Sequence, residues 1–172
     1  MLPDALRLIG SSAKMVAARL AFCRMACGAA GNQSIASFED LVALADAYFD
    51  EGRTALSWPS RQSLPHMEDG WAKLLLNMLP LAADTLPRGG DLTILVEEGQ
   101  DGLLMGLVAV GDGPRVSEEY RLAMQPDVSL EALTPRSVHA YFVTRLAARL
   151  NTAIELDESL PDRITFSVRL VR

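Results

Sequence analysis

The sequence predicts an α+β protein: a long N-terminal helix, then helices stacked on one face of a mixed sheet. Two observations carry that expectation. Apolar residues recur at helical spacing through the first thirty residues, with a second strongly helical stretch near the middle. The remaining segments follow the order helix, strand, helix, strand, strand, helix, strand, strand, which suits helices over a sheet rather than a strict βαβ alternation.

Residues 2–29 read as one helix. Leu2, Leu6, Ile9, Ala13, Val16, Leu20, Cys23 and Cys27 are spaced alternately four and three apart, an unbroken heptad seam. Leu8, Met15 and Phe22 repeat every seven residues beside it. Two adjacent stripes suit a helical bundle rather than a lone surface helix. At 1.5 Å per residue the helix is about 42 Å long. Two bare apolar stripes of that length exceed what monomers expose, so a homodimer through this helix is expected. Gly28 and Gly31 supply the stop.

Ser37 precedes Phe38-Glu39-Asp40 as an N-cap, and a helix runs from Phe38 to about Glu51 with Leu41, Leu44, Ala45 and Tyr48 on one face. Thr54–Trp58 is a short strand candidate and Pro59–Pro65 a loop. Met67–Leu86 is a strong helix that turns Trp71, Leu74, Leu75, Met78 and Leu79 inward, ended by Pro87-Arg88-Gly89-Gly90. Leu92–Glu97 and Leu103–Gly111 read as strands around the turn Glu98–Gly102. Residues 112–133 read as loop, with one helical turn near Leu130. Thr134 caps a helix that has Pro135 at its first position and runs to about Leu150. Ala153–Leu156 and Ile164–Val171 close the chain as strands.

Composition excludes several classes. The chain of 172 residues has 16 basic and 22 acidic side chains, a net charge of −6, which argues against a nucleic-acid partner. Two cysteines and two histidines exclude a disulfide scaffold and leave nothing to build a His/Cys metal site. Cys23 and Cys27 are expected as small buried hydrophobes. The N-terminus lacks a basic region before an apolar stretch, and no apolar run reaches membrane-spanning length, so a cytoplasmic protein is expected. Residues 1–31 carry four bases and one acid (+3), against 12 bases and 21 acids (−9) in the rest. A basic arm on an acidic body marks the arm as the place for an acidic partner.

The run Leu74-Leu75-Leu76-Asn77-Met78-Leu79-Pro80-Leu81-Ala82-Ala83, followed by Pro87-Arg88-Gly89-Gly90-Asp91-Leu92-Thr93-Ile94, resembles the N-box of histidine kinase ATPase domains, the Bergerat fold. There the helix reads N-L-x-x-N-A and a P-x-G-G turn leads into a strand. Asn77 matches the first asparagine. The second, which holds Mg²⁺ in active members, falls at Leu81, whose side chain offers no oxygen to a hard cation. Where a D-x-G-x-G loop should cover the nucleotide, the sequence reads Gly111-Asp112-Gly113. Where a glycine-rich lid should stand, it reads Leu133-Thr134-Pro135-Arg136-Ser137-Val138. Pro135 fixes φ and removes an N–H that a phosphate cradle needs. The resemblance implies a long bundle helix followed by a Bergerat-like α/β sandwich, which the missing Mg²⁺ ligand and phosphate cradle lead us to expect not to bind ATP.

Three segments also resemble ChpT-type bacterial histidine phosphotransferases: Ala18–Gly31, Pro87–Gly90 and Leu133–Tyr141, in that family's order and spacing. The resemblance implies residues 1–31 as the second helix of a dimerising hairpin and residues 32–172 as a degenerate ATPase-like domain. It implies a homodimer with a four-helix bundle, partnered by a hybrid histidine kinase and response-regulator receiver domains, with no nucleic acid, membrane or cofactor. In that family a histidine on the first hairpin helix carries the phosphoryl group. The match begins at the second helix, so that histidine is expected to lie outside these 172 residues. His66, beside Glu68 and Asp69, and His139, on the last helix, are assigned no catalytic role.

The expected dimer seam is Leu2, Leu6, Ile9, Ala13, Val16, Leu20 and Cys23; the expected docking cations are Arg19 and Arg24, then Lys14 and Arg7. Phosphotransfer is expected only with an acceptor helix, and neither ATPase nor autokinase activity. The alternative is a non-catalytic dimerisation and docking module. An unrelated small-molecule enzyme finds no Ser/His/Asp cluster, metal motif or P-loop to work with.

Overall fold

The computed structural model describes residues 2–28, 37–60, 69–99 and 102–170. Helix α1 spans Leu2–Cys27, α2 Phe38–Phe49, strand β1 Thr54–Ser57 and helix α3 Asp69–Ala83. Strands β2 (Gly90–Gly99) and β3 (Gly102–Gly111) follow, then α4 (Glu118–Ala123), a 3₁₀ turn at Leu130–Ala132, α5 (Val138–Arg149), β4 (Glu155–Asp157) and β5 (Arg163–Leu170).

The five strands form one mixed sheet in the order β1-β2-β3-β5-β4. Only β1 and β2 run parallel; every other pair is antiparallel. The register lines apolar residues up in rows: Leu92, Ala109 and Ile164 across β2, β3 and β5, then Ile94, Leu107 and Phe166, then Val96, Met105 and Val168. All nine are buried, because alternate side chains point to the face that the helices cover. Asp91, Leu95 and Glu97 of β2 and Arg163 and Arg169 of β5 point the other way, into solvent. Both edge strands are short, which limits the unpaired backbone offered to other chains.

Helix α3 is the centre of the core. Trp71, Leu74, Leu75, Met78 and Leu79 are buried as expected, but so are Leu76 and Leu81, so the helix is covered on all sides. Its bounds are narrower than the expected Met67–Leu86. Met67 lies outside the described residues. At the other end, Thr85 and Leu86 donate to Ala82 and Ala83, a tighter turn that replaces the last helical residues. Small residues, Ala140, Val143 and Ala147, let α5 pack closely into the same core.

The turn after α3 rests on glycine. Gly89 has φ +82°, and a Cβ there would meet the Arg53 carbonyl at 2.2 Å. That close approach lets Gly90 N–H donate to the Arg53 carbonyl at 3.0 Å, which starts the parallel pairing of β1 with β2.

Three expectations need correction. Residues 112–133 are not loop throughout, because α4 forms behind an N-cap at Ser117 whose hydroxyl accepts from Tyr120 N–H. The last helix begins at Val138 rather than directly after Thr134. Thr134 does cap the turn before it: its Oγ1 accepts from Ser137 N–H at 3.2 Å, and Ser137 Oγ accepts from Thr134 N–H at 2.9 Å. That is a capping box with serine in place of the usual acid. Finally, Cys23 and Cys27 are both exposed.

Candidate functional site

Helix α1 has two faces with different fates. Its C-terminal third packs on the body through Phe22 and Ala26, both buried, with Met25 half-buried against the core. Phe22 stacks on Tyr48 of α2 with ring centroids 4.1 Å apart. The heptad seam points elsewhere. Leu6, Ile9, Val16 and Leu20 are 61%, 65%, 53% and 60% exposed, and Ala13 and Cys23 are exposed with them. The side chain of Leu2 lies outside the described residues. Of the second stripe only the C-terminal part is used by the fold: Phe22 is buried and Met15 half-buried, while Leu8 is 68% exposed, so the N-terminal half of the helix is bare on both stripes in the protomer.

The four cations spread along α1 rather than converging. Arg7 reaches Asp4 at 3.5 Å on an exposed turn. Lys14 and Arg19 border a small cavity of about 100 Å³ between α1 and α2, floored by Met15, Ala18 and Tyr48 and faced by Asp50 and Glu51. Arg24 sits on the exposed side of the last turn, where a cation complements the helix dipole. The Cys27 thiol is pushed above its usual range, first by desolvation and then by Cys23, with Lys73 opposing.

The end of α1 is fastened to α3. Asn77 is 1% exposed, and its Nδ2 donates to the Ala26 carbonyl at 2.7 Å and to the Lys73 carbonyl at 2.8 Å. Lys73 Nζ donates to the Gly28 carbonyl at 2.6 Å. Gly28 is needed there, since a Cβ would meet the Arg24 carbonyl at 2.2 Å.

The positions that resemble nucleotide-binding motifs are otherwise employed. Leu81 is fully buried in the core. Asp112 forms an exposed ion pair with Arg88 across the turn. Thr134-Pro135-Arg136-Ser137 is the capping box described above. Between α3, α4 and α5 lies an open cleft of about 810 Å³ lined by Asp84, Arg115, Glu119, Tyr120, Arg136 and His139, among others. Its acids are engaged: Tyr120 donates to Asp84 at 2.7 Å, and Thr134 Oγ1 to Glu119 at 3.1 Å. Burial and the Asp84 carboxylate hold the Tyr120 phenol protonated far above neutral pH. His139 is half-buried in this cleft, and desolvation lowers its pKa while Asp84 opposes the shift. His66 lies outside the described residues. Among the described residues no group of three or more His, Cys, Asp or Glu could hold a metal ion. Nor is any described helix long and apolar enough to cross a membrane.

Sequence reasoning missed Lys73, Asp84 and Tyr120. The first two carry no periodic signal. Tyr120 stood in a stretch read as loop, although Ser117-Glu118-Glu119 is a helix-start pattern that marks α4.

Fold and site together define a protein with the architecture of a histidine kinase catalytic domain, preceded by a long helix. Solved structures agree on the fold: the catalytic domain of the histidine kinase ThkA matches with a TM-score of 0.57 at 12% identity, covering 78% of this chain and 92% of that one. Full-length ShkA in complex with AMPPNP matches with a TM-score of 0.57 at 19% identity, covering 97% of this chain and 37% of that one. The histidine phosphotransferase C-terminal domain family matches residues 38–160, and the chain belongs to that family. The protein phosphotransferase ChpT of Brucella abortus (strain 2308) is 30% identical over 165 residues, 95% of this chain and 78% of that protein. A bacterial phosphotransferase of known structure matches with a TM-score of 0.79 at 30% identity, covering 97% of this chain and 79% of that one.

Proposed function

We propose that this protein serves a two-component phosphorelay as a docking scaffold for receiver domains, working as a homodimer through the α1 seam and without ATP. The observation that carries the reading is the bare seam. Leu6, Ile9, Val16 and Leu20 stand in water along a helix that only its C-terminal third ties to the body. Family membership supports phosphotransfer as the activity, and the absence of a membrane-crossing helix among the described residues fits a cytoplasmic setting.

The division of the chain follows the same logic. The bundle helix is Leu2–Cys27, and the described part of the kinase-like body begins at residue 37. The seam pairs with helices of a second copy. Arg19 and Arg24, with Lys14 and Arg7 behind them, line the approach to an acidic receiver and favour encounter by charge. The body contributes position rather than chemistry. Leu81 leaves Mg²⁺ without a ligand, Pro135 leaves phosphate without a nest, and Asn77 has spent its amide on α1.

In the transfer step an imidazole nitrogen attacks the phosphorus of an aspartyl phosphate. The P–O bond to the receiver breaks as the P–N bond forms, and the carboxylate leaves. That imidazole needs solvent access and a place on the bundle. His139 has no place on the bundle and only partial solvent access, since it is half-buried in the body cleft. His66 adjoins Glu68 and Asp69, which repel an incoming phosphoryl group. Neither is the phosphoacceptor in this reading; the acceptor belongs to a helix packed on the α1 seam. The second reading, a docking module without transfer, is favoured by that same placement of His139.

The test is incubation of the protein with a receiver phosphorylated on aspartate, reading binding and label transfer together. A double variant, His66→Ala with His139→Ala, should match the parent in both. Loss of transfer on removing either histidine would overturn the assignment. Binding without transfer is the expected result for parent and double variant alike. Transfer that survives loss of both histidines would expose another acceptor and overturn the site assignment, and no binding of any receiver would sink both readings.

A further inference from the structure

We infer that Asn77 and Lys73 are positioning residues, α3 side chains that clamp the C-terminal end of α1 and thereby set the direction in which its bare seam leaves the body. The geometry is that of a tertiary helix cap. The last carbonyls of a helix have no partner within it. Here Ala26 and Gly28 receive theirs from Asn77 Nδ2 at 2.7 Å and Lys73 Nζ at 2.6 Å. The Lys73 ammonium also places a positive charge at the negative end of the α1 dipole. Asn77 is 1% exposed, and its second donor bond, to the Lys73 carbonyl at 2.8 Å, ties the two residues into one unit.

A clamp is needed because α1 is a lever held at one end. Residues 4–14 are exposed, Met15 and Ala18 are half-buried beside α2, and full burial begins at Phe22. From Phe22 back to Leu2 is about 30 Å at 1.5 Å per residue. A tilt of about 10° at the base would move the free end by about 5 Å, close to one helical turn, which is enough to shift a heptad seam out of register. The Phe22–Tyr48 stack resists separation but tolerates sliding and rotation. Hydrogen bonds to backbone carbonyls are directional, so they fix the rotation of α1 about its own axis. The residue that matches the first asparagine of the kinase N-box has thus become a strut.

The consequence for partner docking rests on the reading of α1 as the docking helix; the clamp itself does not. The experiment separates the two. Spin labels are placed at Ser12→Cys on α1 and Glu97→Cys on β2, in a Cys23→Ala/Cys27→Ala background diluted with unlabelled protein. The distance distribution is read by pulsed electron resonance, and receiver affinity is measured alongside. The clamped parent should give one narrow distribution. Asn77→Ala should at least double its width, Lys73→Met should widen it less, and Lys73→Arg should stay near the parent. Lys73→Met keeps the question open to refutation should Asn77→Ala fail to fold. Widths unchanged in both Asn77→Ala and Lys73→Met would overturn the inference. Receiver affinity should fall about tenfold in Asn77→Ala. A parent that binds no receiver would refute the docking reading while the widths still decide the clamp.

Discussion

Placing glutamate at Leu20 tests whether the bare seam is an interface. Leu20 is 60% exposed in the protomer, so the substitution removes little that the folded monomer uses. Exposed helix positions tolerate a good helix former within about 0.5 kcal/mol. In a dimer the accounting differs. Burying a leucine fully is worth about 1.5–3 kcal/mol. With three-fifths of the side chain still open, about 1–2 kcal/mol per copy remains to be gained, or about 2–4 kcal/mol for a two-fold pair. A carboxylate at the same place adds a desolvation penalty. The dissociation constant should therefore rise by at least about 30-fold and up to about 1000-fold, at 1.4 kcal/mol per decade. Sedimentation velocity across a dilution series reads that change. The urea midpoint, taken where the protein is monomeric, reads the monomer. A dimer constant within threefold of the parent, or a monomer destabilised by more than about 1 kcal/mol, would refute the reasoning.

Three further outcomes follow from the same geometry. Phe22→Ala removes a ring buried against Tyr48 and should cost about 3–5 kcal/mol in denaturant unfolding; an unchanged midpoint would mean α1 is not packed there. Leu81→Asn restores the missing asparagine but puts an amide in the core, so the melting temperature should drop and calorimetry with Mg-ATP should stay flat. Micromolar binding by that variant would show that the cleft still recognises nucleotide. Burial lowers the His139 pKa below its unfolded value of about 6.5. Its contribution is therefore complete above that value and is lost as pH falls through the folded pKa. His139→Gln should flatten the fall of the urea midpoint between about pH 7 and pH 5, and equal slopes would contradict the placement.

Much of the fold was legible because it is written in periodicity. The heptad run of α1, the apolar run around Leu74–Leu79 and the alternation in β2 and β5 each mark an element by a pattern that few conformations satisfy. Boundaries were less legible, since they depend on local bonds such as Thr85 to Ala82, which leave no pattern. Helix α4 was missed because six residues are too few to show a period. The cysteines were misread because a heptad seam says only that a face is apolar, not which protein covers it. The clamp was invisible for a similar reason. Asn77 could be aligned to a motif, but that its amide meets Ala26, fifty-one residues earlier, is a property of packing.

In the function proposed above, this kinase-like protein acts through the face of α1 and not through the cleft between α3, α4 and α5. Hydrogen exchange on the whole protein, with and without a receiver held in its phosphorylated form by beryllofluoride, tests it most directly. Slowed exchange along α1 and on the adjoining face of α2 is the predicted result. Protection confined to the cleft around Tyr120 and His139, with α1 unchanged, would contradict it.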